Sequence, residues 1–353
     1  MGQSKQFSTA RKIQFSLFLL FIVLLLITAV GEVVMRLQYK GPGPPYDNKE
    51  KDAELGWKTK ENYKFQTPEF LTSAGSTYPV NANFTRYGFR KWNEAATDSP
   101  VATIFFIGDS YTESLEASDE HVFYSVLKDS LPVRIYARGT AGYGTAQELL
   151  ILRKYIDSVK PDWVVLEVCN NDFTDNSWQI EMHSTYKVSQ TRPYLQADGS
   201  MQYHYPRPWY EHAKDYSLFW NMIFMRAHNT MLNLHLAKPD RDISEIAQDP
   251  ACKEIYDATL NTTQQALSEI KKLTESRHAQ LAVFDADDFS PGVTYFPDVC
   301  KRLHINYIDS VAQDLRAPEQ RGDTIRAFDG YHCNNVGQHV IANRLIQYFR
   351  AKL

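Results

Sequence analysis

Four short segments carry residue types suited to acyl transfer. The first is Gly108-Asp109-Ser110-Tyr111-Thr112-Glu113-Ser114, directly after the apolar run Ala102 to Ile107. A serine there stands at the carboxyl end of a strand and just before a helix. Its hydroxyl is exposed, and the helix N-terminus favours developing negative charge. Taken alone, Gly-Asp-Ser is also an ordinary strand–helix turn. The second segment is Asp329-Gly330-Tyr331-His332, just before the last helical pattern. An aspartate three residues before a histidine on a turn can accept a hydrogen bond from the imidazole, fix its tautomer and stabilise the imidazolium. The third, Val168-Cys169-Asn170-Asn171-Asp172, offers a carboxamide that can donate to an oxyanion, with Asp172 read as a buried turn-former. The fourth, Arg138 to Gln147, contains Gly139, Gly142 and Gly144. Glycines there let the backbone approach a substrate and present N–H groups.

The elements that must position these segments are legible from periodicity. Short apolar runs at Ala102–Ile107, Val133–Ala137, Trp163–Val168 and Leu281–Asp285, with a weaker one at Asn306–Asp309, fit buried parallel strands. Helical spacing of apolar residues spans Ala146–Val159, Glu254–Ser276 and Asn335–Lys352. Strands alternating with helices imply a parallel sheet covered on both faces, with sites at the carboxyl ends of its strands. The four segments fall at successive strand ends or before the last helix, so they converge on one rim. This joint placement is far more specific than any single segment.

The N-terminus is of another kind. Residues 13–31 contain no charge, and Lys5, Arg11 and Lys12 precede them without any acid. Such a run is long enough, at 1.5 Å per residue, to cross about 30 Å of hydrocarbon. It exceeds the apolar core of a cleaved signal peptide and lacks a good cleavage site. The expected layout is a cytoplasmic N-terminus over 1–12, one anchor over 13–31, and everything beyond it exported. The short basic leader suggests a bacterial inner membrane. Residues 32–100, with the Pro- and Gly-rich stretch 40–52 and short β-like patches over 53–100, read as a linker and an irregular lead-in to the main domain, 101–353. Residues 173–240 are an aromatic-rich insertion containing Trp178, Tyr186, Tyr194, Tyr203, Tyr205, Trp209, Tyr210, Tyr216, Phe219 and Trp220. So long an excursion reads either as a lid or binding wall, suited to sugar stacking, or as an ordinary insertion whose aromatics are core.

Composition removes several classes. The 353 residues are 43% hydrophobic and 23% charged, which excludes a disordered chain. A net charge of −4 speaks against a nucleic-acid partner. The four cysteines, Cys169, Cys252, Cys300 and Cys333, form no CxxC pair, so no structural zinc site is expected. In an exported chain they could form disulfides, of unreadable connectivity. The glycines after the second strand do not follow the dinucleotide-binding order. No cofactor and no metal are expected.

The order Gly-Asp-Ser, then a glycine turn, then Asn-Asp, then Asp-x-x-His near the C-terminus resembles the SGNH (GDSL-type) hydrolase superfamily. The resemblance covers about residues 101–351. Leu55-Gly56-Trp57 and the stretch from Asn83 to Tyr87-Gly88-Phe89-Arg90 further resemble its membrane-anchored bacterial members. It implies a three-layer α/β/α sandwich of flavodoxin-like type. It also implies Ser110 as nucleophile, His332 as base and Asp329 as the third triad member. The Ser110 N–H, the Gly142 N–H and the Asn171 side chain would form the oxyanion hole. Two positions depart from the family pattern. Ala137 stands where the second block often begins with Asn, and Cys169 where the third often has Gly. The implied activity is an extracytoplasmic serine esterase acting on acyl esters, acetyl foremost, with a carbohydrate as one bearer of the ester. The alternatives are an O-acyltransferase acting on an exported polysaccharide and a non-catalytic subunit of an envelope assembly.

Overall fold

In the computed structural model the described residues are 9–38, 48–91, 99–182, 184, 188, 190–205, 217–236, 241–287 and 292–353. They belong to two units. The smaller contains residues 1–47 and 207–239; the larger contains 48–206 and 240–353.

In the smaller unit, helix α1 (Thr9–Gln38) has no buried residue and is long and apolar enough to cross a membrane. A second helix of that unit spans Leu218–Asn233.

The larger unit begins with strands β1 (Lys49–Asp52) and β2 (Gly56–Thr59), an antiparallel pair. Strands β3 (Lys64–Leu71), β4 (Thr77–Phe84) and β5 (Arg90–Lys91) form a second antiparallel sheet. The stretch expected to be irregular thus carries five strands, and α1 runs to Gln38 rather than ending at 31. The sequence shows these strands only as short β-like patches because their burial alternates imperfectly. In β3 most side chains are exposed and a bulge interrupts the register between Thr67 and Phe70.

The central sheet is parallel throughout: β6 (Ala102–Gly108), β7 (Val133–Gly139), β8 (Trp163–Val168), β11 (Gln280–Asp285) and β12 (Asn306–Tyr307), in the spatial order β12-β11-β8-β6-β7. The small hairpin β9 (Arg192–Leu195) and β10 (Met201–His204) lies apart from it in sequence, inside the insertion. Successive residues of β6 enter different cores. Ile104 and Phe106 join one face; Phe105 and Ile107 join the other. Both faces of the strand are therefore dry, which explains its unbroken apolar run. One face is covered by residues 123–130, 311–320 and 335–350 through Phe123, Leu127, Leu315, Ile341 and Leu345. The other is covered by 145–159, 253–276 and 292–303 through Leu149, Ile156, Leu267, Ile270 and Val299. This is the expected three-layer sandwich.

Strand β6 is flanked by β7, its successor, on one side and by β8 on the other. The chain reverses direction of winding between β6 and β8, and a crevice opens at their carboxyl ends. That switch point places the site.

Candidate active site

Ser110 begins a one-turn helix, residues 110–113, at the end of β6. Asp109 caps it by accepting the Tyr111 N–H at 2.9 Å, and Ser114, at φ +50°, ends it. Such a tight turn lifts the Ser110 side chain off the sheet edge. Among the described residues the Ser110 and Gly142 N–H groups make no hydrogen bond.

The histidine is held by local geometry. Asp329 Oδ1 accepts the N–H groups of Tyr331 and His332 at 2.9 and 3.0 Å, closing a turn in which Gly330 takes φ +77°. Its other oxygen meets His332 Nδ1 at 2.5 Å. With Nδ1 engaged, Nε2 is the nitrogen free to accept a proton. The loop is fixed behind the pair: Asn334 accepts two N–H groups at the start of the last helix, and Arg326 donates to the Tyr331 carbonyl at 2.6 Å. Tyr111, next to Ser110, packs its ring 5.4 Å from that of His332 and donates to the Tyr331 carbonyl at 3.3 Å. The serine turn and the histidine loop therefore touch.

A second carboxylate faces the imidazole. Glu116 Oε1 stands 3.9 Å from His332 Nδ1 and is almost fully buried. Burial lowers the His332 pKa, but the negative charges of Glu116 and Asp329 outweigh it and hold the value up at about 9. Burial raises the Glu116 pKa, with the facing His332 opposing it. Asp329 ends below the usual carboxylate range; burial pushes it up, and the hydrogen bond from His332 and the two backbone donors more than compensate.

Gly142 has φ +78°, a left-handed conformation that favours glycine. Its peptide is clamped on every side. Glu113, on the serine helix, accepts the Ala141 N–H at 3.0 Å. Lys49 and Trp57 donate to the Ala141 carbonyl at 2.7 and 3.3 Å. Arg192 donates to the Gly142 carbonyl at 2.6 Å. Asn171 starts the helix after β8 and donates to Asp175 at 2.9 Å, while the Cys169 thiol donates to its Oδ1. The cysteine that departs from the family pattern thus orients the carboxamide. An amide nitrogen carries two hydrogens, so one remains for a ligand. Asp172 is buried as expected, accepting the Cys169 N–H and the Thr145 hydroxyl, and burial pushes its pKa up to about 7.

Ser110, Gly142, Asn171 and His332 all line one cavity of about 370 Å³. No hydrogen bond joins Ser110 to His332 among the described residues. Asp329 stands behind the histidine. A family model for GDSL-like lipases/acylhydrolases matches residues 104–345, more than half of the chain. The chain belongs to the GDSL-like lipase/acylhydrolase family. It is an ester-hydrolysing enzyme. Among solved structures, the psychrotrophic esterase EstA from Pseudoalteromonas sp. is 11% identical over 71% of this chain and 97% of that chain, with TM-score 0.41. A catalytic mutant of an acetylxylan esterase from Geobacillus stearothermophilus is 11% identical over 70% of this chain and 94% of that chain, with TM-score 0.39. No curated protein sequence matches the chain.

In this GDSL-family hydrolase the insertion plays a part that its aromatics did not suggest. Trp178, Tyr194, Tyr203 and Tyr205 do not line the cavity. Tyr194 is buried and donates to Glu181 at 2.7 Å, and Trp178 stacks on His204 at 5.1 Å. Tyr194 and Trp178 are thus packing residues, while Tyr203 is exposed and donates to the Glu54 carbonyl. Tyr186, Trp209, Tyr210 and Tyr216 lie outside the described residues. What the hairpin delivers is Arg192, fully buried, paired with Asp175 at 2.9 Å.

All four cysteines are free thiols. Two groups have ligand atoms close enough to share an ion, Asp109–Glu167–Cys169 and Glu116–Asp329–His332. In the first, burial drives the Glu167 and Cys169 pKa values up, which favours protons there. Glu113, Glu116, Lys49 and Arg192 were not singled out by sequence reading. Only Glu113 had a signal, its place within the serine segment.

Proposed function

We propose that the protein is a membrane-anchored, extracytoplasmic serine esterase. What carries the reading is the meeting of Ser110 and the Asp329–His332 pair at one cavity on the switch point of the sheet. His332 Nε2 takes the Ser110 proton as Oγ attacks the ester carbonyl. The tetrahedral oxyanion is received by the Ser110 and Gly142 N–H groups and by the Asn171 amide. His332 then protonates the leaving alcohol, and water releases the acyl group by the reverse sequence. Glu116 and Asp329 stabilise the imidazolium formed in each half.

The cavity suits a small acyl group such as acetyl, and its polar rim, with Lys49, Asp242 and Ser244, suits a hydroxylated leaving group such as a sugar. The anchor reading is supported by the uncharged run 13–31 of α1, which has no buried residue and follows Lys5, Arg11 and Lys12, a charge order that favours a cytoplasmic N-terminus in a bacterial inner membrane.

A fluorophosphonate probe tests the core of this reading. Wild type is expected to be labelled and Ser110→Ala left unlabelled. Equal labelling of both would exclude Ser110 as the nucleophile. Release of acetate from an acetylated glycan, compared with acyl transfer to the bare glycan, separates hydrolase from transferase.

A further inference from the structure

The helix Leu218–Asn233 has no buried residue, although ten of its sixteen residues are apolar. Trp220, Ile223, Phe224, Ala227 and Met231 recur at i, i+3, i+4, i+7 and i+11, which places them in one stripe along the helix. Trp220, Ile223 and Met231 of that stripe are exposed. Arg226 is the one formal charge of the helix; with Asn229 and Asn233 it lies on the opposite side, interleaved there with Met222, Met225 and Leu232.

What meets that stripe is indicated by where the helix begins. Glu32 of α1 accepts the Ser217 hydroxyl at 2.7 Å and the Phe219 N–H at 3.1 Å, so α1 itself caps the N-terminus of the second helix. The Phe219 ring lies flush on Gly31; a Cβ at that position would sit 2.4 Å from it. Glu32 is the first charged residue after the uncharged run 13–31. It therefore marks the level at which α1 leaves hydrocarbon. A helix tied to that residue starts at the same depth, and the apolar Val30, Val33 and Val34 of α1 beside it are exposed.

We infer that residues 218–233 form an apolar helix lying in the headgroup–acyl boundary of the bilayer that α1 spans, with the Trp220–Met231 stripe turned into the lipid and the side carrying Arg226, Asn229 and Asn233 turned to the headgroups. Sixteen residues reach about 24 Å, short of a full crossing, and a tryptophan in the first turn suits the interfacial belt. The occupant is a phospholipid surface. The inference rests on the anchor reading above. It gives the insertion a second task besides supplying Arg192. Asp242, Ile243 and Ser244, which follow this helix in the sequence, line the cavity that holds Ser110 and His332.

The test uses the full chain, with Cys252→Ser to remove the one native cysteine that is not buried, reconstituted in phosphatidylethanolamine–phosphatidylglycerol vesicles. Nitroxide labels are placed singly through Leu20→Cys in α1, Met231→Cys on the stripe and Asn229→Cys off it. Relaxation by oxygen, which concentrates in lipid, is compared with relaxation by an aqueous nickel chelate. The inference expects oxygen to dominate at 20 and 231 and nickel at 229. Oxygen dominance at 20 with nickel dominance at both 231 and 229 leaves the anchor standing and overturns the interfacial helix. Nickel dominance at 20 overturns both. Oxygen dominance at 229 as well as 231 also overturns it, since the helix is then immersed rather than interfacial.

Discussion

The Arg192 guanidinium donates to the Gly142 carbonyl at 2.6 Å and, through a second nitrogen, to Asp175 at 2.9 Å. Asp175 in turn accepts from Asn171. One buried cation from the inserted hairpin thus ties together the two groups proposed to receive the oxyanion, which come from different strand ends.

Replacing that cation while keeping its charge should separate positioning from folding. Arg192→Lys cannot serve both partners with a planar fork. Its kcat is expected to fall on the order of 10–100-fold, less than loss of an oxyanion donor, with KM changed little. Arg192→Met leaves Asp175 and Glu181 without their buried partner and should lower stability by about 3–5 kcal/mol, read from the denaturation midpoint. An unchanged kcat in the lysine variant would remove Arg192 from the catalytic apparatus.

Asn171→Ala should lower kcat by about 10²–10³ with normal folding, because it deletes a donor proposed to receive the oxyanion. A KM effect without a kcat effect would instead make Asn171 a ground-state binding residue.

The pH profile should report Glu116. A negative charge near His332 stabilises the imidazolium, and the base works only when neutral. The acid limb of kcat/KM should therefore lie above the ordinary histidine range, toward the value of about 9. Glu116→Gln removes that charge, lowers the His332 pKa and shifts the limb to lower pH. A limb that stays in place or moves upward would contradict the arrangement.

Gly142→Ala meets no close contact, since the nearest atom would be Val188 Cγ1 at 3.4 Å. Its cost comes from φ alone, about 1 kcal/mol or more. Because the peptide is clamped at both carbonyls, relief by rotation is blocked, and activity should fall more than stability. Parallel denaturation and kcat measurements check this.

Local physics made much of this molecule readable in the chain. Buried parallel strands must be apolar on both faces, so β6, β8 and β11 announced themselves. The residues just after them must then share a rim. The Asp329–His332 pair was equally visible, because one turn closed by its own side chain needs only four consecutive residues. Strands β1 to β5 were visible only as short β-like patches, since half-exposed strands with a bulge have no clean period. Arg192, Glu113, Glu116 and Lys49 carry no local pattern that marks them. Each acts by filling a place that exists only once distant segments have met, so a charge with no local signal becomes a clamp in the fold. The nucleophile candidate and its histidine could be named from the chain; what holds the oxyanion groups beside them was decided by tertiary contact, because buried charges choose partners by proximity and not by spacing.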